Sequence, residues 1–349
     1  AYDGSHLTFP GKVGDDVIEL RPHQKNFVWR TLQSSTALAD HVVGAGKTFA
    51  VIASVMEKRR IGQARKPMIV VPNHLVGQWA ADFVKLYPGA KVLAATKKDF
   101  ERENRKRLFA RVASGDWDAV VVAHSSFGKI PVDPAFEQAF IEEQIADLED
   151  AEQTLRAQDG KKSRNVKQLA KRRENLEAKL KRLLDAGAKD VGMTFEEMGV
   201  DHLVVDEAHE FKNLGFATAM HRVAGLGNTQ GSQKAADLYM KSRSVLQRTG
   251  GRNLVFATGT PLSNTMAEMF TVQRYLDGEA LKQLGVAHFD AWARVFGDIV
   301  TDWEVSPSGQ YKLNSRFAKF VNMPELMQRY LSFADVITND DIKAMLAAQ

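Results

Sequence analysis

The stretch His41–Phe49, with the sequence HVVGAGKTF, contains the residue types that bind phosphate groups in proteins. Two glycines and an alanine, which allow a tight backbone turn, stand in its middle: Gly44, Ala45 and Gly46. Glycines let backbone N–H groups approach a triphosphate, and the N-terminus of the following helix points at the anion. Lys47 would reach the β- and γ-phosphates, and the Thr48 hydroxyl would bind Mg²⁺. The stretch predicts a nucleotide site, and the alternative is a glycine turn before a helix that carries a lysine.

Two carboxylates, Asp206 and Glu207, follow the apolar run Leu203–Val205 and begin the sequence Asp-Glu-Ala-His. Carboxylates at the carboxyl end of a buried strand lie where open α/β sheets bind their ligands. Asp206 would hold Mg²⁺, directly or through water, and Glu207 would orient or deprotonate an attacking water. Adjacent acids in a turn are also common as solvated residues, so this interpretation depends on the phosphate-binding stretch that precedes them.

Small polar residues follow another apolar run, Leu254–Ala257, as Thr258, Gly259 and Thr260. Hydroxyl groups at a strand end can relay hydrogen bonds between a phosphate and neighbouring groups, and the alternative is a strand-to-helix turn capped by threonine.

Gln24 precedes the phosphate-binding stretch, where its amide could pair with an adenine edge. A lone glutamine is otherwise most often a surface residue.

The elements that must position these residues alternate between strands and helices. Short, continuously apolar runs rich in β-branched residues predict strands covered on both faces: Met68–Val71, Ala119–Ala123, Leu203–Val205 and Leu254–Ala257. Apolar residues at three- and four-residue steps between them predict helices with one buried face. This alternation predicts an α/β fold with a mostly parallel sheet flanked by helices.

Residues 134–187 interrupt the alternation with two amphipathic stretches joined by a turn at residues 159–163. The first stretch is acidic and the second is basic, which predicts an antiparallel coiled-coil hairpin inserted into the α/β fold. The basic arm could contact DNA phosphates. The interpretation that the two arms neutralise each other is favoured, because the acidic arm is the nearer neighbour.

The overall composition narrows the class of protein. The 349 residues contain no cysteine, which excludes disulfides and thiolate zinc sites and fits a cytoplasmic location. No apolar run is long enough to span a membrane, so we expect no membrane partner. The net charge of +4 is compatible with a polyanionic partner. The segment after Ala267 is predicted to be mostly helical, with a break at residues 306–309.

Five stretches stand in a familiar order along the chain: LRPHQ, GAGKT, VVPNHLVGQW, DEAHEFKN and ATGTPLSN. Together they resemble the first RecA-like lobe of superfamily-two helicases, and the DEAH-type stretch and TGTPLSN are most similar to Swi/Snf-type translocases of bacterial or phage style. The resemblance implies a P-loop NTPase lobe over residues 20–276, with the hairpin of residues 134–187 inserted. Residues 1–19 would lead into this lobe, and residues 277–349 would form a helical extension toward a second lobe.

The resemblance also implies roles for individual residues. It assigns ATP binding to Arg21, Gln24, Gly44, Ala45, Gly46, Lys47, Thr48 and Phe49. Catalysis would involve Lys47, Asp206, Glu207 and His209, with Thr48 and Asp206 at Mg²⁺. Coupling would run from His209 toward Thr258, Gly259 and Thr260. Contacts to a nucleic-acid backbone would come from Pro72, Asn73, Gln78, Ser125 and Ser126.

These implications lead to one favoured function and one alternative. We expect the ATP-binding lobe of a DNA-dependent ATPase that moves on or remodels duplex DNA; the alternative is a nucleotide-dependent DNA-binding or protein-docking module. A P-loop kinase would leave the DEAH and TGTP stretches unexplained. Other expected partners are a second RecA-like lobe of the same polypeptide and a methyltransferase module or protein at the helical hairpin.

Two departures from the family pattern qualify the expectation. His41 occupies the position of the first glycine in the pattern G-x-x-x-x-G-K-[ST]. We expect this difference to change the geometry of the loop on its adenine side more than the role of the lysine. No stretch after Thr338 resembles the second lobe, whose arginines would reach the γ-phosphate. Because an arginine supplied in trans is worth about 10³–10⁵ in rate, the chain is expected to hydrolyse ATP weakly.

Overall fold

The computed structural model describes residues 2–159, 163–186, 192–220, 223–263, 265–305, 307 and 309–347. Its strands are β1 (Lys12–Val13), β2 (Asp16–Val17), β3 (Thr36–His41), β4 (Pro67–Val71), β5 (Val92–Ala94), β6 (Ala119–Ala123), β7 (His202–Asp206), β8 (Val223–Ala224), β9 (Leu254–Thr258), β10 (Gly297–Val305), β11 (Tyr311–Phe320) and β12 (Ala334–Ile337).

The α-helices in these ranges are α1 (Pro22–Gln33), α2 (Lys47–Arg60), α3 (Val76–Leu86), α4 (Arg102–Ser114), α5 (His124–Phe127), α6 (Pro134–Asp159), α7 (Arg164–Ala186), α8 (Gln233–Arg248), α9 (Ala267–Leu276), α10 (Gly278–Gln283), α11 (Phe289–Phe296), α12 (Met323–Phe333) and α13 (Asn339–Ala347). Short 3₁₀ turns cover Asn73–Leu75 and Ala208–Phe211. None of the helices in the described ranges is long and apolar enough to cross a membrane.

Seven strands form one parallel sheet in the order β12-β3-β9-β7-β4-β6-β5. Every residue of β4, β6, β7 and β9 is buried, which explains their continuously apolar sequences, since both faces of the sheet are covered. The register pairs Asp206 with Ala257 and Asp40 with Thr258. The carboxyl ends of β7, β9 and β3 are therefore level with one another.

Helices cover the two faces of the sheet with separate layers of apolar side chains. One layer contains side chains of α1, α2 and α3, among them Phe27, Val51, Trp79 and Phe83. The other layer contains side chains of α4, α8, α9, α11 and α12, among them Phe109, Leu238, Phe270, Trp292 and Leu326. The predicted RecA-like α/β architecture, a mostly parallel sheet flanked by helices, is confirmed.

The inserted helical hairpin is also confirmed, as α6 and α7. The Arg173 guanidinium lies 3.1 Å from the Glu152 carboxylate, and the Lys179 ammonium lies 2.9 Å from Glu137. These pairs join early residues of one helix to late residues of the other, so the helices are antiparallel and partly neutralise each other. Of the predicted turn, residues 160–162 lie outside the described residues, as does residue 187.

The prediction of a mostly helical tail is wrong for three segments. Strands β10 and β11 form an antiparallel pair, and β12 adds to the edge of the main sheet beside β3. In β10, Ile299, Thr301, Trp303 and Val305 recur at every second position, which is the period of a strand. Strand β12 has four residues, too few for a period to distinguish strand from helix. Of the predicted break at 306–309, residues 306 and 308 lie outside the described residues. The domain boundaries remain predictions.

Candidate functional site

Three neighbouring strands, β3, β9 and β7, carry the residues of the candidate site at their carboxyl ends. The phosphate-binding stretch follows β3, the Thr-Gly-Thr turn follows β9, and the two carboxylates end β7. Sequence positions more than 200 residues apart thus meet at one edge of the sheet. This edge is where parallel α/β sheets bind ligands.

The glycines of the loop adopt the backbone conformation that a close turn requires. Gly44 has a φ of 88° and Gly46 a φ of 79°, both in the left-handed region that favours glycine. A methyl group on Gly46 would also collide with the side-chain nitrogen of Gln24. Helix α2 begins at Lys47, so its first N–H groups have no acceptor within the helix. The loop has the backbone and the free donors that an anion needs.

Lys47 lies between this loop and the end of β9. Its Nζ donates to the carbonyl oxygen of His41 at 2.7 Å. A methyl group added to Gly259 would lie 3.1 Å from that oxygen and 3.7 Å from the lysine nitrogen. The Thr-Gly-Thr turn therefore packs directly on the phosphate-binding loop, and only glycine leaves this space open.

Asp206 and Glu207 have different environments. Asp206 is 6% exposed, and its burial, followed by the neighbouring charge of Glu207, raises its pKa to about 6. The Trp79 side chain donates to Asp206, and His124 Nε2 donates to the Asp206 backbone carbonyl at 2.8 Å. Glu207 is a non-glycine residue in the left-handed region, with a φ of 50° and a ψ of 48°. Such strained residues cluster at functional sites.

His209 joins the end of β7 to the end of β9. Its Nδ1 atom lies 2.8 Å from Thr258 Oγ1 and 3.2 Å from the Glu207 carboxylate. The same hydroxyl accepts a hydrogen bond from the backbone N–H of Thr260 at 3.1 Å. A change at the carboxylate turn can thus reach the Thr-Gly-Thr turn through one imidazole and one hydroxyl.

Helix α1 supports the loop from its other side. The Gln24 side chain accepts from the backbone N–H of Arg21 at 2.7 Å and donates to the Gly46 carbonyl at 2.9 Å. An amide has capacity for one further bond at each end, so these bonds are compatible with a base edge. His23 Nε2 donates to the Ala45 carbonyl at 2.7 Å, a contact that the sequence analysis missed although His23 lies within LRPHQ.

Two further residues that were predicted to bind the nucleotide, Ala45 and Phe49, differ in how far they are exposed to solvent. Ala45 is fully buried and its backbone N–H donates to the Val42 carbonyl at 3.1 Å, while Phe49 is half-buried with the Lys85 ammonium 6.0 Å from its ring centre. The Thr48 hydroxyl and the Asp206 carboxylate are hard oxygen groups of the kind that Mg²⁺ binds, so these two residues could hold the ion.

Four of the five residues predicted to contact nucleic acid directly follow the carboxyl ends of β4 and β6, which are neighbouring strands: Pro72, Asn73, Ser125 and Ser126. Asn73 Oδ1 accepts a hydrogen bond from the backbone N–H of Ser125 at 3.1 Å, which joins the two strand ends beside Pro72. Gln78 is exposed on α3. Ser126 is 2% exposed, so its side chain does not lie on this surface.

Comparisons with known proteins identify one family and two similar proteins. Residues 29–338 match a family model described as a probable helicase domain. The defense against restriction protein B of Escherichia phage P1 is 23% identical over 364 residues, which cover 92% of this chain and 16% of that protein. The chain therefore spans a small part of this relative. A second similar protein is the Sulfolobus solfataricus SWI2/SNF2 ATPase core, whose structure was solved in complex with dsDNA. The match covers 80% of this chain and 39% of the chain of that structure, with 15% sequence identity and a TM-score of 0.41.

Proposed function

Because the chain belongs to the family of probable helicase domains, we propose that it is the ATP-binding lobe of a DNA-dependent ATPase of the helicase or translocase type. In this proposal the lobe couples ATP hydrolysis to movement on, or remodelling of, duplex DNA. The observation that carries the proposal is the meeting of three motifs at one sheet edge: Lys47 beside Gly259, and His209 against Thr258.

In this proposal, each group of the site has a separate role in the transfer of the γ-phosphoryl group of ATP to water. The loop N–H groups and Lys47 bind and orient the phosphates of ATP. Glu207 accepts the proton of a water molecule that attacks the γ-phosphorus, and the bond from that phosphorus to ADP breaks as the new P–O bond forms. A Mg²⁺ ion held by Thr48 and Asp206 would neutralise phosphate charge. Burial of Asp206 would strengthen its contact with the ion, because water is excluded around the carboxylate.

The surface for DNA is the joined ends of β4 and β6. Beside Pro72, the exposed amide groups of Asn73 and Gln78 and the exposed Ser125 hydroxyl offer hydrogen-bond donors suited to a phosphodiester chain. Such contacts carry no base information, so binding would be independent of sequence and sensitive to salt. His124 follows β6 and bonds to the Asp206 carbonyl, which connects this surface to the carboxylates.

Efficient hydrolysis would also require cationic groups on the γ-phosphate from a second RecA-like lobe. Arginines supplied across a cleft raise phosphoryl-transfer rates by about 10³–10⁵. We therefore propose that this lobe binds ATP with Mg²⁺ and turns it over slowly until a second lobe closes on it.

Phosphate release from ATP, with and without duplex DNA, tests the proposal. This chain is measured beside a longer polypeptide that includes a second lobe, with Lys47→Ala as the control for contaminating ATPases. DNA-stimulated turnover in the longer form alone would support the proposal. DNA binding without turnover in both forms would favour the alternative, a nucleotide-dependent binding or docking module. Full-rate hydrolysis by this chain alone would contradict the need for a second lobe.

A further inference from the structure

Four polar side chains that the proposed chemistry does not use pack together beside the phosphate-binding loop: His23, Arg30, His41 and Asp335. His23, Arg30 and His41 are all buried, and the rings of the two histidines lie 6.1 Å apart with their planes at 73°. Buried polar groups are costly unless they are hydrogen-bonded, so a cluster of this kind needs a reason to persist. Because the cluster lies beside the phosphate-binding loop, its contacts with that loop indicate what it does.

The strand that contributes Asp335 pairs with the beginning of the loop itself. Strand β12 runs parallel to β3, and its last residue, Ile337, is in register with His41. The ladder continues one residue further, because the N–H of Val42 donates to the Ile337 carbonyl at 3.0 Å. The position of β12 therefore determines where the chain leaves β3 and turns into the loop.

The Asp335 carboxylate holds the His41 side chain. One of its oxygens accepts from His41 Nε2 at 2.6 Å, and the other lies 3.6 Å from the Arg30 guanidinium. The other ring nitrogen of His41 is buried and has no hydrogen-bond partner among the described residues. Without Asp335 the imidazole would lose its one side-chain partner in a fully buried position.

The backbone of His41, in turn, holds Lys47. The His41 carbonyl accepts from Lys47 Nζ at 2.7 Å and lies against Gly259 on its other side. One residue thus carries the imidazole bonded to Asp335 and the carbonyl bonded to the phosphate-binding lysine. A displacement of His41 as a whole would displace both the ring and the carbonyl, and the ammonium bonded to that carbonyl.

We propose that Asp335 is a positioning residue for the phosphate-binding loop, acting through His41 on Lys47. The proposal rests on the proposed ATP-binding function and deepens it, since it makes strand β12 part of the nucleotide site. It also gives a role to the histidine that replaces the first glycine of the loop pattern. Asp335 itself does not touch the nucleotide, and its effect appears in how strongly the phosphates are bound.

The test compares Asp335→Ala with Tyr330→Phe in this chain. Tyr330 is a matched control because its hydroxyl donates to Asp40 at 2.8 Å, so it also ties the tail to β3 but does so without His41. A fluorescent ATP analogue with Mg²⁺ is titrated into each chain, thermal unfolding is recorded, and phosphate release gives kcat and KM. Asp335→Ala should weaken binding and raise KM about tenfold with little change in kcat. Tyr330→Phe should lower the unfolding temperature without changing the affinity.

Three outcomes would overturn the proposal. Equal losses of unfolding temperature in both variants, with unchanged affinity in both, would make Asp335 merely structural. A loss of affinity of the same size in Tyr330→Phe would assign the effect to docking of the tail rather than to His41. Absence of nucleotide binding by the unchanged chain would contradict the proposed function itself. Asp335→Asn, which keeps the shape and an acceptor oxygen, should fold and show a smaller loss of affinity than Asp335→Ala.

Discussion

The Nδ1 atom of His209 lies 2.8 Å from the Oγ1 atom of Thr258, although 48 residues stand between them in the sequence. The contact joins the turn after β7 to the end of β9, the strand that lies between β7 and the phosphate-binding loop. His209 also lies 3.2 Å from Glu207. These two residues thus form a direct connection between the proposed catalytic carboxylate and the turn that packs on Lys47.

Replacing Thr258 with valine should break this connection and leave the loop in place. We expect Thr258→Val to bind ATP normally. The factor by which DNA stimulates ATP hydrolysis should fall about fivefold or more, because coupling free energies between sites are typically about 1–3 kcal/mol. Phosphate release with increasing duplex DNA measures the effect in a polypeptide that includes the second lobe. Thr249→Val is the control, since its hydroxyl donates to the Val245 carbonyl and accepts from the Arg252 backbone N–H, away from the site. Equal stimulation in both variants would exclude the connection.

Replacing Lys47 with alanine should remove nucleotide binding. The ammonium is the cationic group that the structure places on the loop, so we expect a loss of affinity for ATP of about 100-fold or more. Isothermal titration calorimetry measures it. Arg60→Ala, at the end of the same helix and paired with Glu57, is the charge-matched control. Micromolar ATP binding retained by Lys47→Ala would contradict the assignment of the loop.

Replacing Glu207 with glutamine should separate binding from turnover. The amide keeps the shape of the side chain but accepts a proton poorly, so ATP should bind unchanged and be hydrolysed about 10²–10⁴-fold more slowly. Single-turnover phosphate release by the polypeptide with its second lobe is the measurement. Glu210→Gln, in the same turn and paired with Lys234, should remain active. Normal turnover in Glu207→Gln would remove Glu207 as the base.

The stability of the chain should depend on the protonation of Asp206. Burial first, and the charge of Glu207 second, raise the pKa of Asp206 from 3.8 to about 6. Between these values the folded chain keeps a proton that the unfolded chain has released, so this group's contribution to the free energy of unfolding falls as the pH rises from about 4 to 6.

The comparison of the unchanged chain with Asp206→Asn isolates this contribution. Without divalent ions, the difference between their free energies of unfolding should change by at most about 3 kcal/mol over that pH window. Urea unfolding at a series of pH values in EDTA measures the difference. Adding MgCl₂ should stabilise the unchanged chain above about pH 6 and leave Asp206→Asn unaffected. A difference that does not vary with pH would show that the carboxyl keeps its ordinary pKa.

The helical hairpin should be removable without unfolding the sheet. The residues that flank it are already bonded to each other, since Phe195 N donates to the Pro131 carbonyl at 2.7 Å and Asp133 N donates to Glu196 at 2.9 Å. Among the described residues, its apolar contacts with the rest of the chain form two small clusters, one of Phe140 with Met240 on α8 and one of Leu155 and Val166 with Ala219. Replacing residues 134–186 by a short linker should lower the unfolding temperature by about 5 °C or less. Complete loss of the cooperative unfolding transition in this variant would show that the hairpin belongs to the core.

Local sequence was sufficient for the motifs and for most of the elements that carry them. Val120–Val122 and Val204–Val205 lie in buried parallel strands, as their apolar, β-branched sequences predict. The glycines at 44 and 46 take the left-handed conformations of a tight loop, and α2 begins at Lys47. These features depend on neighbours within a few residues, which is the range over which side-chain period and backbone preference act.

The tail shows where such signals fail. In β10 the alternation of Trp303 and Val305 with Asp302 and Glu304 is typical of a strand, but the prediction extended the helical pattern of the preceding segments, α9 to α11, across it. Strand β12 is ordered by its pairing with β3 and by the contacts of Asp335, not by a period within its four residues. Tertiary contacts override local preference in segments this short.

The sequence by itself determined which chemistry the chain could support: a loop for phosphates, two carboxylates after a buried strand, and hydroxyls after another. The tertiary structure decided which of these residues touch. His209 meets Thr258, Gly259 packs beside Lys47, and Asp335 holds His41 across 294 residues of sequence. The physical reason is that periodicity specifies the face that an element buries, while the order of strands in a sheet depends on packing of the whole chain. The partners of each side chain follow from that order.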